Sequence, residues 1–210
     1  MHELRNYLQI ATYAVRAIKA GKVGISGATG AVLDRSLAGM RALVDRSVAE
    51  VRVTAALPPR LQPVSLAEFV GETEASAALD SRARGCRLTV APVDTNIVVS
   101  ADPAMLHAAV FNLLQNAFKF TKSHTAVTLR VQEVADRVLL EVEDHCGGLP
   151  PGATDTLVPP FSQHGKDRSG LGLGIDICRR AVEANRGVLR IRNLPGSGCV
   201  FTIDLPRYST

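Results

Sequence analysis

A chain of 210 residues, 46% hydrophobic and 21% charged, has the makeup of a soluble globular protein with room for one large or two small domains. With 4% aromatics and no Trp, its core must come mostly from Leu, Val, Ile and Ala. The net charge of +4 falls wholly in residues 1–56, where eight Lys/Arg face four Asp/Glu; these charges are scattered, which excludes a basic nucleic-acid patch and leaves a solvated face or an acidic protein partner.

Cys86, Cys146, Cys178 and Cys199 stand far apart without a CxxC spacing. Neither a zinc site nor a disulfide framework is expected, and reduced thiols in a cytoplasmic protein are the simpler reading. No run approaches the ~18 apolar residues of a membrane span, so no membrane contact by this segment is expected. Met1 directly precedes a His-Glu-Leu-Arg-Asn motif, which suggests a sensor region upstream.

Residues 3–19 lack Gly and Pro and place Leu4, Leu8, Ala11, Val15 and Ile18 on one heptad seam. Gly21, Gly24, Gly27 and Gly30 break this helix, and a second runs to about Val53 with Leu33, Leu37, Met40, Val44, Val48 and Val51 on one stripe. An antiparallel helical hairpin of this kind cannot bury both seams alone, and a homodimer forming a four-helix bundle is the natural solution. The segment Ala55–Pro63 carries three prolines and reads as a linker.

Beyond it the pattern alternates. Ser65-x-x-Glu68 opens a helix to about Arg84. Strands follow at Cys86–Val90 and Ile97–Ser100. Asp102-Pro103 caps another helix, which carries Asn-Leu-Leu-Gln-Asn-Ala-Phe-Lys, residues 112–119. Strands Val127–Glu133 and Val138–Asp144 flank a turn at Ala135-Asp136. A Pro/Gly-rich loop spans Gly147–Gly170, a helix runs from about Gly172 to Ala184, and strands Val188–Arg192 and Cys199–Leu205 close the chain. The fold class is α+β: a helical hairpin in residues 1–55, a linker over 56–63, and an α/β sandwich with a mixed sheet over 64–207.

Asn112 and Asn116 share a helix face, with Lys119 near it. Their carboxamides offer oxygens to magnesium and the lysine offers a point charge to phosphate; a plain polar stripe would look the same. Asp144 ends a strand, where its carboxylate can accept a hydrogen bond from an exocyclic amine, and Gly147 and Gly148 let the backbone approach closely. A hairpin-end turn is the bland alternative. Gly170, Gly172 and Gly174 open a helix and expose backbone N–H groups to phosphate. The preceding loop, with His164, Lys166 and Arg168, reads as a lid.

Together these stretches resemble the Bergerat ATP-binding fold shared by histidine kinases, gyrase-type ATPases, Hsp90 and MutL-like proteins. The resemblance implies ATP and Mg²⁺ as ligands, with Asn116 on the metal, Lys119 near the phosphates and Asp144 on adenine. It also implies Phe161 in the lid and Gly170, Gly172 and Gly174 against phosphate. The family usually writes Asp-x-Gly-x-Gly at the adenine loop, whereas this chain has Cys146 before Gly147-Gly148. Hydrolytic members place a Glu four residues before the magnesium Asn; Asn112 stands there and cannot accept a proton.

His2-Glu3-Leu4-Arg5-Asn6 resembles the histidine-kinase phosphoacceptor box and, through Glu3-x-x-Asn6, its phosphatase signature. The resemblance makes His2 the nucleophile, Glu3 the group that holds or deprotonates its other ring nitrogen, and Asn6 a water-orienting residue. The expected function is a sensor histidine kinase core that phosphorylates His2 and passes the group to an aspartate of a response-regulator receiver. Alternatives are a phosphotransfer or docking protein with a vestigial ATP domain, an anti-sigma-type serine kinase and, third, a hydrolytic chaperone-type ATPase.

Overall fold

A computed structural model describes residues 2–21, 23–24, 27–149 and 173–208. The chain divides into two compact units, Met1–Val48 and Ala49–Thr210. Among the described residues no helix is long and apolar enough to cross a membrane.

In the first unit, α1 (His2–Lys19) is followed by α2, which starts at Ala28 and continues to Thr54. Ala11 and Ala14 of α1 and Ser36 of α2 are buried, and the Tyr7 ring lies against Gly39 so closely that a Cβ there would meet Cε1 at 2.5 Å. The larger seam residues have a different fate. Leu8, Val15, Leu37, Val44 and Val48 are all exposed.

The second unit is α+β with a mixed sheet. Its five strands are β2 (Arg87–Val90), β4 (Ala126–Val134), β5 (Arg137–Glu143), β6 (Val188–Leu194) and β7 (Gly198–Pro206), in the order β2-β4-β5-β7-β6. β2 and β4 run parallel and every other pair is antiparallel. Alternation decides the faces. Val127, Leu129, Val138, Leu140, Val142, Leu189, Ile191, Phe201, Ile203 and Leu205 are buried on one side, in registered pairs such as Leu140 opposite Ile203. Polar side chains pair on the other: Arg130 bridges Glu141 and Glu143 at 2.6 and 2.9 Å, and Arg137 meets Asp204 at 2.7 Å.

Three helices supply the partners of the apolar face: α3 (Leu66–Ala83), α4 (Pro103–Phe120) and α5 (Leu173–Ala184). α4 is the central one, with Leu106, Leu113 and Leu114 fully buried. Its N-terminus is fixed by Asp102, whose Oδ1 accepts from the N–H groups of Ala104 and Met105, with Pro103 at the first helical position. Asp102 Oδ2 also accepts from Arg60 N at 2.8 Å and pairs with Arg52 at 3.0 Å.

One element was not expected. β1 (Gln62–Ser65) pairs antiparallel with β3 (Val98–Ala101), drawing the end of the proline-rich segment into a two-stranded sheet. Pro63 is tolerated because the strand has a neighbour on one side only among the described residues, so its missing N–H costs no ladder bond there.

Candidate nucleotide site

The site is positioned by how α5 lies on α4. At one end, Asn185, just past α5 and fully buried, accepts the Asp102 N–H through Oδ1 at 2.6 Å. At the other, Gly174 in the first turn of α5 faces the far half of α4: a Cβ there would stand 3.3 Å from Asn112 Oδ1 and 3.8 Å from Asn116 Nδ2. The helices are therefore antiparallel, and the positive N-terminal end of α5 meets the two carboxamides. Asn112 Nδ2 donates to Ala108 O at 2.8 Å, which turns its oxygen toward Gly174. Lys119 lies one turn beyond Asn116, its ammonium 5.2 Å from the Phe120 ring centroid.

The C-terminal end of α4 is tied to the loop after β5. Thr121 Oγ1 accepts the His145 N–H at 3.1 Å, and the Lys122 N–H donates to His145 O at 3.2 Å. His145 Nδ1 lies 2.8 Å from Ala126 O, so this histidine braces the loop. Within the loop, Asp144 is buried and its Oδ1 accepts from the N–H groups of both Cys146 and Cys199, at 3.0 and 3.1 Å. Its own N–H donates to Cys199 O at 3.0 Å. The carboxylate is thus clamped between the loop and β7.

Gly147 and Gly148 adopt φ of +95° and +97°, which a side chain resists. At Gly148 there is also no room: a Cβ would come 2.9 Å from Asn193 Oδ1 and 3.3 Å from Leu194 O. Asn193 Oδ1 in turn accepts the Leu149 N–H at 2.8 Å. Gly198 is tighter still, with no space for a Cβ against the Asp144 carbonyl. Cys146 keeps a partly exposed side chain where the family's loop usually has glycine, and its Sγ stands 3.5 Å from that of Cys199. Burial and the neighbouring Asp144 carboxylate push its thiol pKa up.

Of the expected site residues, the structure brings Asn112, Asn116 and Gly174 together and places Asp144 and Gly148 on one loop. Phe161, Lys166, Arg168, Gly170 and Gly172 lie outside the described residues, as does His164. His2 and Glu3 fall within α1, with side chains outside the described set, and Asn6 is exposed on the same helix. Asn193, Thr121 and Cys199 were not foreseen as neighbours of the site. Cys199 is 53 residues from Cys146, and the β5–β7 pairing brings them together.

Residues 101–209 match the family described as histidine kinase-, DNA gyrase B- and HSP90-like ATPase. The chain belongs to that family. It is 30% identical over 215 residues to the sensor protein KdpD of Mycobacterium tuberculosis, covering 97% of this chain and 25% of that protein. The chain thus spans about a quarter of that relative's length. Among solved structures it resembles the Acinetobacter baumannii histidine kinase AdeS, with TM-score 0.62 and 18% identity over 100% of this chain and 99% of that one. It also resembles full-length ShkA in complex with AMPPNP, with TM-score 0.65 and 24% identity over 87% of this chain and 38% of that one; at these identities the likeness is one of fold. Family and relatives together support a histidine kinase catalytic ATP-binding core.

Proposed function

We propose that the chain is an ATP-dependent protein histidine kinase that phosphorylates His2 and passes the phosphoryl group to an aspartate of a response regulator. The observation that carries this reading is the juxtaposition of Asn112, Asn116 and the first turn of α5 at Gly174. A helix N-terminus beside two carboxamides suits a triphosphate and its metal. ShkA, whose fold this chain resembles, is solved in complex with AMPPNP, which supports the same choice of ligand.

Asp144, clamped through Oδ1, offers Oδ2 to the exocyclic amine of adenine. Gly148 keeps the loop close to the base, and Lys119 supplies charge near the phosphates. Phe161, Lys166 and Arg168 act as the lid, with Gly170 and Gly172 extending the phosphate contact. The carboxamide oxygen of Asn116 would hold a hard divalent ion beside the triphosphate. Mg²⁺, when bound, neutralises charge on the transferring phosphoryl group.

A ring nitrogen of His2 attacks the γ-phosphorus, the bond to the β–γ bridging oxygen breaks, and ADP leaves with the electron pair. Glu3 takes the proton from the other ring nitrogen. Asn112 stands where a hydrolytic enzyme needs a carboxylate base, and its amide already donates to Ala108 O, which favours transfer to a protein nucleophile over attack by water. Asn6 orients water for dephosphorylating the partner. Residues 1–55 form the phosphoacceptor hairpin, 56–63 the linker and 64–207 the catalytic domain. The exposed stripes Leu8–Val15 and Leu37–Val44–Val48 are the surface a second copy covers in a four-helix bundle.

The test is incubation with γ-labelled ATP and Mg²⁺. Acid-labile, base-stable label that disappears in His2→Ala supports the reading. Label that survives in His2→Ala overturns the acceptor assignment, and stable phosphate on serine would favour an anti-sigma-type kinase. A docking role without catalysis is favoured by Cys146 in the adenine loop, and absence of nucleotide binding would support it.

A further inference from the structure

We infer that Asp144, Cys146 and Cys199 form a binding site for a soft divalent transition metal of the zinc class, and that metal there competes with nucleotide for Asp144. One ligand atom from each residue lies within 4.8 Å of the other two. The two sulfurs are 3.5 Å apart. On a tetrahedral ion with bonds of about 2.3 Å they would sit about 3.8 Å apart, so both thiolates reach one metal with a shift of a few tenths of an ångström.

The surroundings are those of a built site. Asp144 Oδ1 accepts from the N–H groups of Cys146 and Cys199, which fixes the carboxylate plane before any ion arrives. Asn193 Oδ1, 4.0 Å from Cys199 Sγ, is itself held by the Leu149 N–H. Asp144 and Cys199 are buried while Cys146 is partly exposed, so an ion enters past Cys146 and keeps a fourth position for water. Two thiolates and one carboxylate suit Zn²⁺ or Co²⁺ and not Mg²⁺, which takes oxygen ligands.

The same sulfurs, 3.5 Å apart, are also close enough to pair as a disulfide under oxidation, and the reduced chain is the state that takes metal. Metal binding displaces both thiol protons to solvent, and the charge of the ion is met by two thiolates and Asp144.

The competition rests on Asp144 being the adenine contact. The metal site itself does not. The chain is reduced, its four thiols are counted after denaturation, and Co²⁺ is added to the native protein. The expected result is one Co²⁺ per chain with thiolate-to-cobalt charge-transfer absorption, displaced by Zn²⁺. The band is lost in Cys146→Ser and in Cys199→Ser and kept in Cys86→Ser. Absence of the band with all four thiols reduced overturns the proposal. So does a band that survives Cys146→Ser, or loss of two thiols on exposure to metal without a band.

For the competition, the apparent Kd of a fluorescent ATP analogue rises in proportion to free Zn²⁺ in the wild-type chain. Cys146→Ser, which reports any effect of zinc on the nucleotide itself, lacks that rise. Equal rises in both chains overturn the coupling. A wild-type chain that shows the cobalt band but binds no nucleotide in zinc-free buffer containing Mg²⁺ fails the ATP reading alone.

Discussion

Gly174 and Asn112 are in close contact across α5 and α4: a Cβ on the glycine would meet the carboxamide Oδ1 at 3.3 Å. The oxygen cannot swing away without breaking the Nδ2 bond to Ala108 O. Gly174→Ala should therefore separate two properties. Alanine is favoured over glycine in a helix by up to about 1 kcal/mol, so the melting temperature should hold or rise. Nucleotide affinity should fall as the Asn112 and Asn116 carboxamides shift. Parallel thermal melts and nucleotide titrations check it, and a joint loss would mean a packing role only.

Asn116→Ala should leave the fold intact, because the side chain is half-buried at the surface of α4. It should lower Mg²⁺-dependent phosphoryl transfer more than about 100-fold, beyond what loss of a group merely supporting a metal ligand does. Initial rates of label incorporation at several Mg²⁺ concentrations read this directly.

At Asp144 two substitutions should differ. In Asp144→Asn a carboxamide oxygen can still accept the Cys146 and Cys199 N–H groups, so stability changes little. An NH₂ group then faces the position proposed for the exocyclic amine. Loss of a charged hydrogen bond, about 1.5–3 kcal/mol, predicts nucleotide binding weaker by roughly 10- to 150-fold. Asp144→Ala also strands those two N–H groups and should cost a further 1–3 kcal/mol or so of stability. Isothermal titration with urea unfolding distinguishes the pair.

The largest stability effect is expected at Asp102. Its carboxylate caps α4, accepts from Arg60 N and pairs with Arg52, with a side chain only 2% exposed. Asp102→Ala removes the cap and leaves the Arg52 guanidinium without this partner, a loss of roughly 3–5 kcal/mol for breaking a buried pair. A fall in the urea midpoint with an unchanged slope would bear this out.

Alkaline pH should loosen the protein through Cys178. Burial pushes its thiol pKa well above the ordinary value, so the folded state holds the thiol neutral. The unfolded thiol ionises near pH 8.5. The stability tied to this group is complete below that pH and is lost as pH rises toward the folded pKa. Urea midpoints from pH 7 to 10 should decline less steeply in Cys178→Ala than in the wild-type chain.

Much of the second unit could be read from local chemistry. Asp102-Pro103 announced the start of α4 because cap and first-turn geometry depend on adjacent residues. The β4–β5 hairpin followed from period-two alternation about Ala135-Asp136, where Ala135 takes a φ of 54°. β1 was hidden because prolines argue against a strand, and only its one-sided pairing with β3 makes it tolerable. The approach of Cys146 to Cys199 was invisible for another reason: no spacing rule spans 53 residues, and the register Glu143–Val200 creates the contact. The helical seams were legible as periodicity, but which members bury was not. Ala11 is buried while Leu8 and Val15 remain open.

β6 ends the five-stranded sheet on one side, with Val188, Arg190 and Arg192 outward and Leu189 and Ile191 inward. Among the described residues nothing pairs with its outer edge, and a strand in that position offers backbone groups to any passing extended peptide. Arg192 along the rim, beside Arg190 that pairs with Asp204 at 3.1 Å, makes such stacking costly, because each added copy would bring like charges into register. The colloidal behaviour of the folded protein thus leans on side chains of an edge strand. Exchanging both for valine would turn a quiet rim into a seed for fibrils.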